Sequence, residues 1–238
     1  MAAVPTDKAI GIIGAGTMGG GIAQIAAAAG HPVLLFDVNP EASAAALRRM
    51  GAALDRLVTK GRMDSGARDT LLSRIHSCNA MSDLAPAGLV VEVIVEDLAV
   101  KRRVFGELEA IVDEDVILAT NTSSISVTAI GADLKRPQRL AGMHFFNPVP
   151  LMALVEVVSG LATAPEVADT VFDTAAAWGK QPVHARSTPG FIVNRVARPF
   201  YAEALRVLGE GGADAATIDA IVRESGGFRM GPFELMDL

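Results

Sequence analysis

Short apolar runs alternate along the chain with longer stretches in which apolar residues recur every three or four positions. Lys8–Ile13, Val33–Phe36, Leu89–Val95, Val116–Thr120, Arg139–Phe145 and Leu154–Val158 carry the first pattern and are expected to be strands. Several lack period-two alternation, as strands covered on both faces do. Met18–Ala29, Pro40–Lys60, Ser65–Ile75, Val100–Val112 and Pro165–Trp178 carry the second pattern and are expected to be helices. Asn39 can cap the second of these, and Pro40 suits its first turn. Alternation of this kind predicts an α/β fold with an open, doubly wound, mostly parallel sheet and right-handed crossovers.

The pattern changes at Thr188-Pro189-Gly190. Phe191–Leu208 and Asp214–Glu224 read as helices, Gly226-Gly227 follows, and no strand pattern returns. A boundary is therefore expected at about residue 187, dividing an α/β domain (1–187) from the start of an all-α C-terminal domain (188–238). The final MGPFELMDL begins another amphipathic pattern and stops after one or two turns, leaving Leu235, Met236 and Leu238 without packing partners. The helical domain is accordingly expected to be incomplete.

Composition narrows the classes of function. Half of the 238 residues are hydrophobic, a fifth are charged, and the net charge is -6. That balance argues against nucleic acid or a membrane surface as the main partner. Ala9–Phe36 is nearly uncharged, but Gly11, Gly14, Gly16 and Gly19–Gly21 interrupt it, followed by Gln24, Gly30, His31 and Pro32. A span needs about 20 continuous apolar residues, and a signal peptide needs a basic start before a compact apolar core. Strand, turn and helix fit the segment better. Cys78 is the single cysteine, so no intrachain disulfide can form and a cytoplasmic location is expected. No Cys/His cluster suggests a metal site.

GIIGAGTMGG follows the first strand and opens the first helix. Gly14, Gly16 and Gly19 match G-x-G-x-x-G: a tight turn, close backbone approach to a pyrophosphate, and close packing of helix on sheet. The helix start, with Ala15, Thr17 and Met18, offers free N–H groups to phosphates. Small residues at a strand–helix turn can be plain packing. Here, however, Asp37 ends the second strand 18 residues after Gly19, near the spacing for a carboxylate on the adenosine ribose. No Arg or Lys immediately beside it would accept a 2′-phosphate. A Rossmann-type domain binding NAD is the expectation.

Three polar clusters follow. VVEVIVED carries Glu92 and Glu96, with Lys101 in the next helix, and TNTSSIS carries Asn121, Thr122, Ser123 and Ser124. Both end strands, where open α/β sheets bind ligands. Helix capping is the bland alternative for Ser123, and capping or pairing with Lys101 for Glu96. In MHFFNPVPLMALVEV, His144 ends a strand and Glu156 lies on a return strand beyond Asn147-Pro148-Val149-Pro150. An antiparallel return would set the carboxylate against the imidazole. A buried glutamate needs a partner, and such a pair would fix the ring tautomer and suit it to general-base work.

GAGTMGGGIAQ, VVEVIVED, TNTSSIS, MHFFNPVPLMALVEVVSG and STPGFIVNR, in this order and spacing, resemble the L-3-hydroxyacyl-CoA dehydrogenase family over essentially the whole chain. VVSGLAT, WGKQPV and STPGFIVNRVARPFY are most similar to its 3-hydroxyadipyl-CoA and 3-hydroxybutyryl-CoA branch. The resemblance implies oxidation of an (S)-3-hydroxyacyl-CoA to the 3-oxoacyl-CoA by hydride transfer to NAD, in fatty-acid or phenylacetate-type catabolism. It implies that His144 is the base, that Glu156 orients it, and that Ser123 and Asn194 hold the C3 oxygen. Asp37 would hold the adenosine ribose, and Glu96, Lys101, Asn121 and Ser123 would line the cofactor site. Asn147 would support the turn beside the dyad, and Lys60 is a candidate for the CoA phosphates, although cations at a helix end are favourable anyway. The full-length form is implied to be a homodimer that takes an acyl-CoA.

Two departures bear on this. Ala153 stands where the family often has a lysine, and the family's helical domain continues well past GPFELMDL. Two competing readings remain. One is a related NAD-dependent β-hydroxyacid dehydrogenase, which would need a lysine in the helical region, and none follows Lys180. The other is a nucleotide-binding protein that has lost catalysis.

Overall fold

β1 (Ala9–Ile13) lies inside an eight-stranded sheet of order β3-β2-β1-β4-β5-β6-β7-β8. The remaining strands are β2 (Val33–Phe36), β3 (Ile75–Cys78), β4 (Ala87–Glu92), β5 (Ile117–Thr120), β6 (Leu140–Phe145), β7 (Leu154–Ser159) and β8 (Gln181–Arg186). The first six are mutually parallel, whereas β7 pairs antiparallel with β6 and parallel with β8. After β3 the chain crosses to the far side of β1, so β1 and β4 flank the switch point where doubly wound sheets hold ligands. This is the computed structural model of the chain. It describes residues 2–237; Leu238, named above as an apolar end residue, lies outside them.

Helices form where the sequence signals them. α1 (Thr17–Ala28) follows the glycine loop and buries Ile22, Ala23, Ile25 and Ala26 against the sheet. α2 (Pro40–Thr59) is capped by Asn39, whose side chain accepts from the Glu41 N–H at 3.1 Å. α3 (Ser65–Ser73) stops two residues short of Ile75, which the sequence pattern assigned to it and which instead opens β3. α4 (Leu98–Glu109) is capped by Asp97, and the short α5 (Val127–Ile130) by Ser126. α6 (Pro165–Ala177) packs Ala168, Val171 and Ala175 into the core. The isoleucines, valines and leucines of β1, β2 and β4 are buried except the partly covered Leu34, as a sheet covered on both faces requires.

Contacts divide the chain into two units, one ending at Pro189 and the other beginning at Gly190. The second contains α7 (Val193–Gly209), α8 (Ala215–Glu224) and α9 (Pro232–Met236). Asp219 on α8 is buried and accepts from the Phe233 and Glu234 N–H groups at 2.9 and 3.1 Å, satisfying the first turn of α9. Among the described residues no helix is long and apolar enough to cross a membrane.

Candidate active site

The glycine loop owes its shape to two glycines with different tasks. Gly14 has φ +105°, and a Cβ there would meet the Val93 carbonyl oxygen at 2.4 Å. A Cβ on Gly19 would lie 1.8 Å from the Gly14 carbonyl oxygen, so helix and loop approach as closely as backbone allows. Gly16 is different: a Cβ on it would meet nothing within 4 Å. No protein atom demands a glycine there, and the residue lines both clefts of this sheet edge. Gly16 caps α1 without a side-chain hydrogen bond, no acid occupies the first turn, and Thr17 is exposed with Met18 half-buried. Those free N–H groups suit a pyrophosphate.

Asp37 holds the loop from the side. Its carboxylate accepts from the Ala15 N–H at 2.7 Å and from the Asn39 N–H at 2.9 Å, and each oxygen keeps acceptor capacity for a ribose hydroxyl. Asp37 shares a cleft of about 380 Å³ with Gly14, Gly16, Val38, Ile94 and Arg103. Arg103 is a cation that the sequence reading missed, because it reaches the cleft from α4 and not from the β2 neighbourhood. These walls fit the adenosine half of a dinucleotide. A second cleft of about 230 Å³ is lined by Gly16, Thr17, Gly21, Arg49, Asn147 and Pro150. Lys60, exposed at the end of α2, lines neither cleft.

At the same edge of the sheet, the loops after β4 and β5 are tied together. Glu96 accepts from the Thr122 hydroxyl, from the Ser123 N–H at 3.0 Å and from the Ser124 N–H at 3.3 Å. Capping therefore does not account for Glu96 or Ser123, since Asp97 and Ser126 cap the helices concerned. Burial alone would raise the Glu96 carboxyl, but the Thr122 and Ser123 hydrogen bonds and the Lys101 ammonium outweigh it and hold the group below its ordinary value. The contribution of Glu96 to folding is thus complete above the ordinary carboxylate range and lost as pH falls through the lowered folded value. Urea unfolding from pH 6 down to about 3 should show a loss of stability that is smaller in Glu96→Gln. Lys101, expected to line the cofactor site, is 1% exposed and lies beneath it, 2.6 Å from Glu92 and 3.3 Å from Glu96.

Asn121 accepts from the Phe145 N–H at 2.9 Å, joining the end of β5 to the end of β6 beside His144. The β6–β7 register sets His144 opposite Glu156, and Nδ1 of the ring lies 2.7 Å from Glu156 Oε2. Both are buried, at 5% and 0% exposure, and Phe146 covers the ring at 4.5 Å between centroids. With Glu156 accepting at Nδ1, the proton belongs on Nδ1 and Nε2 is the basic nitrogen. The next turn contains the cis Asn147–Pro148 bond, with Asn147 exposed.

Lys180 anchors that turn and was not foreseen as part of the site. Its ammonium donates to the Val149 carbonyl at 2.6 Å and the Met152 carbonyl at 2.9 Å, and burial pushes it below its ordinary value. Lys180→Met should cost about 1–3 kcal/mol, the penalty for orphaning buried acceptors, measured by urea unfolding. Asn194 belongs to the second unit, in the first turn of α7, after Gly190 (φ +74°) and Phe191 (φ +47°). Among the described residues no group of three or more His, Cys, Asp or Glu could hold a metal.

Residues 9–188 match the family model described as 3-hydroxyacyl-CoA dehydrogenase, NAD binding domain, and residues 190–238 match the C-terminal domain of the same name. The chain belongs to the 3-hydroxyacyl-CoA dehydrogenase family. NAD is the dinucleotide of its first domain. A 3-hydroxyadipyl-CoA dehydrogenase of Escherichia coli is 50% identical over 97% of this chain and 49% of the relative. A 3-hydroxybutyryl-CoA dehydrogenase of Clostridioides difficile is 42% identical over 96% and 82%. The crystal structure of (S)-3-hydroxybutyryl-CoA dehydrogenase from Ralstonia eutropha superposes with a TM-score of 0.94 at 38% identity, covering 97% of this chain and 82% of that one. The chain spans about half the length of the E. coli relative.

Proposed function

We propose that the protein is an NAD-dependent dehydrogenase that oxidises (S)-3-hydroxyacyl-CoA to 3-oxoacyl-CoA. The observation that carries this reading is the buried 2.7 Å contact of His144 with Glu156 at the sheet edge that also bears the glycine loop. Catalysis of this reaction needs a base at the C3 hydroxyl, a clamp on the C3 oxygen, and orientation. When bound, NAD supplies the hydride acceptor.

His144 takes the C3 hydroxyl proton at Nε2. Glu156 accepts from Nδ1, fixes the tautomer and stabilises the imidazolium by its charge. Ser123, held through its amide by Glu96, is read as a clamp on the C3 oxygen, and the family resemblance gives Asn194 the same task. Asn121 fixes the backbone at Phe145 and so the approach of His144, and Asn147 supports the following turn. Gly14, Ala15, Gly16, Thr17, Met18 and Gly19 hold the pyrophosphate, and Asp37 holds the adenosine ribose. Lys60 meets the CoA phosphates at a distance from the chemistry. The catabolic setting is fatty-acid or phenylacetate-type, in the cytoplasm, and the enzyme works as a homodimer. The names of the E. coli and C. difficile relatives support the substrate class.

NADH consumption with acetoacetyl-CoA tests the reading. Turnover that depends on the thioester is expected, with binding of NADH preferred over NADPH. Failure to reduce any 3-oxoacyl-CoA while still binding NADH would leave a nucleotide-binding protein without this chemistry.

A further inference from the structure

Glu92 ends β4 and is fully buried, yet it has no part in the proton transfer. Both of its oxygens are used. Oε1 accepts from the Ile94 N–H at 2.8 Å and from the Lys101 ammonium at 2.6 Å, and Oε2 accepts from the Thr120 hydroxyl at 2.7 Å. Two branches run from it to the Ser123 loop. In the first, Lys101 reaches the inner oxygen of Glu96 at 3.3 Å, and the outer oxygen receives Thr122, Ser123 and Ser124. In the second, the Thr120 hydroxyl also accepts from the Thr122 N–H at 3.3 Å.

We propose that Glu92 is a positioning residue: by pinning Lys101 and Thr120 it fixes the plane of Glu96 and so the placement of Ser123. The lysine stem alone would not do this. A long flexible ammonium with one half-exposed partner would follow that partner toward solvent. Glu92, 9 residues earlier and inside the sheet, keeps the ammonium deep, so Glu96 must reach inward to meet it. Two carboxylates then share one cation in a buried site, an arrangement that apolar residues would replace without loss if stability were its only purpose. Among the described residues the charged group that acts on Glu96 directly is Lys101 from α4, and Glu92 from β4 reaches it through that lysine. Its chain neighbour Asp97 is turned to the Val100 N–H at 2.9 Å, and the β5 loop offers only hydroxyls and amides.

The role of Ser123 rests on the dehydrogenase reading, so the test has one arm that does not. That arm is the titration of Glu96 in the cofactor-free protein by 13C NMR of labelled glutamate carboxyls, assigned with Glu96→Gln. Lys101→Met removes the cation and should move the Glu96 midpoint up. Glu92→Gln removes a like charge and leaves the ammonium uncompensated, so it should move the midpoint further down. In turnover of acetoacetyl-CoA, Glu92→Gln should lower kcat about 10- to 100-fold, the cost of displacing an oriented group. A purely structural Glu92 would lower Tm and leave both the midpoint and kcat of the folded protein in place, which overturns the proposal. If Glu92→Gln does not fold, Thr120→Val deletes one hydroxyl at constant shape. A lower kcat without a higher KM then supports the assignment, and an unchanged kcat removes it. A protein that neither binds NADH nor turns over would sink the dehydrogenase reading, and the NMR arm would still decide whether Glu92 governs Glu96.

Discussion

His144→Ala is expected to reduce kcat for acetoacetyl-CoA by about 10²- to 10⁴-fold, the usual worth of a positioned general acid or base, with NADH affinity intact. The selectivity follows from placement. His144 is on β6 and bonds across to β7, whereas the glycine loop and Asp37 belong to β1, α1 and β2. Removing one partner of a buried pair also leaves Glu156 without its imidazole, and such losses cost about 3–5 kcal/mol. The variant should therefore be assayed well below its unfolding temperature, beside His144→Gln, which keeps a donor for the carboxylate but no basic nitrogen. Both should be equally inactive and differ in stability. A His144→Gln enzyme within tenfold of the parent would remove the base from the mechanism. Glu156→Gln should fall between, because the amide oxygen still accepts from Nδ1 but carries no charge to stabilise the imidazolium.

The second large effect is expected at Gly19. A methyl group there would sit 1.8 Å from the Gly14 carbonyl oxygen, and neither partner is a flexible side chain. The loop or the helix must move, at a cost of about 1–3 kcal/mol for overpacking. If binding demands the original loop, the same strain appears as roughly 5- to 150-fold weaker NADH binding. Gly16→Ala provides the contrast, since its methyl group meets no protein atom within 4 Å. It should fold with parental stability and still bind NADH more weakly, because the methyl group occupies the approach to the pyrophosphate. Equal stability losses in the two variants would contradict this division of tasks. Calorimetry and fluorescence titration separate them.

The sequence patterns located the interior of the sheet and missed its margins. β1, β2, β4, β5, β6 and β7 are runs of apolar residues because neighbours cover them on both faces. β3 and β8 are the two edge strands of the sheet; Ile75 reads instead as a helix tail, and Gln181–Arg186 carries no strand pattern. IHSC is buried only at Ile75, and QPVHAR carries Pro182, which an edge strand tolerates, and is buried only at Ala185. An edge strand has too little covered surface to write an apolar signature. The site divides in a similar way. His144 and Glu156 were legible because polar residues inside apolar runs need a reason. Lys101 and Lys180 were opaque in their burial, since a lysine in a helix or after one reads as a solvated end, and only tertiary structure shows the carbonyls and carboxylates that receive it. Arg103 was invisible for the same reason.

The antiparallel step from β6 to β7 makes the segment between them a ruler. Gly142 lies opposite Val158, Met143 opposite Val157, His144 opposite Glu156 and Phe145 opposite Val155. Because side chains alternate faces, a shift of one residue would offer the imidazole a valine and send the carboxylate through the sheet to the other side. Hairpin connections ordinarily absorb insertions with little harm. This one can do so only while the register holds: a change between Phe146 and Ala153 that slipped β7 by one residue would take Glu156 away from His144.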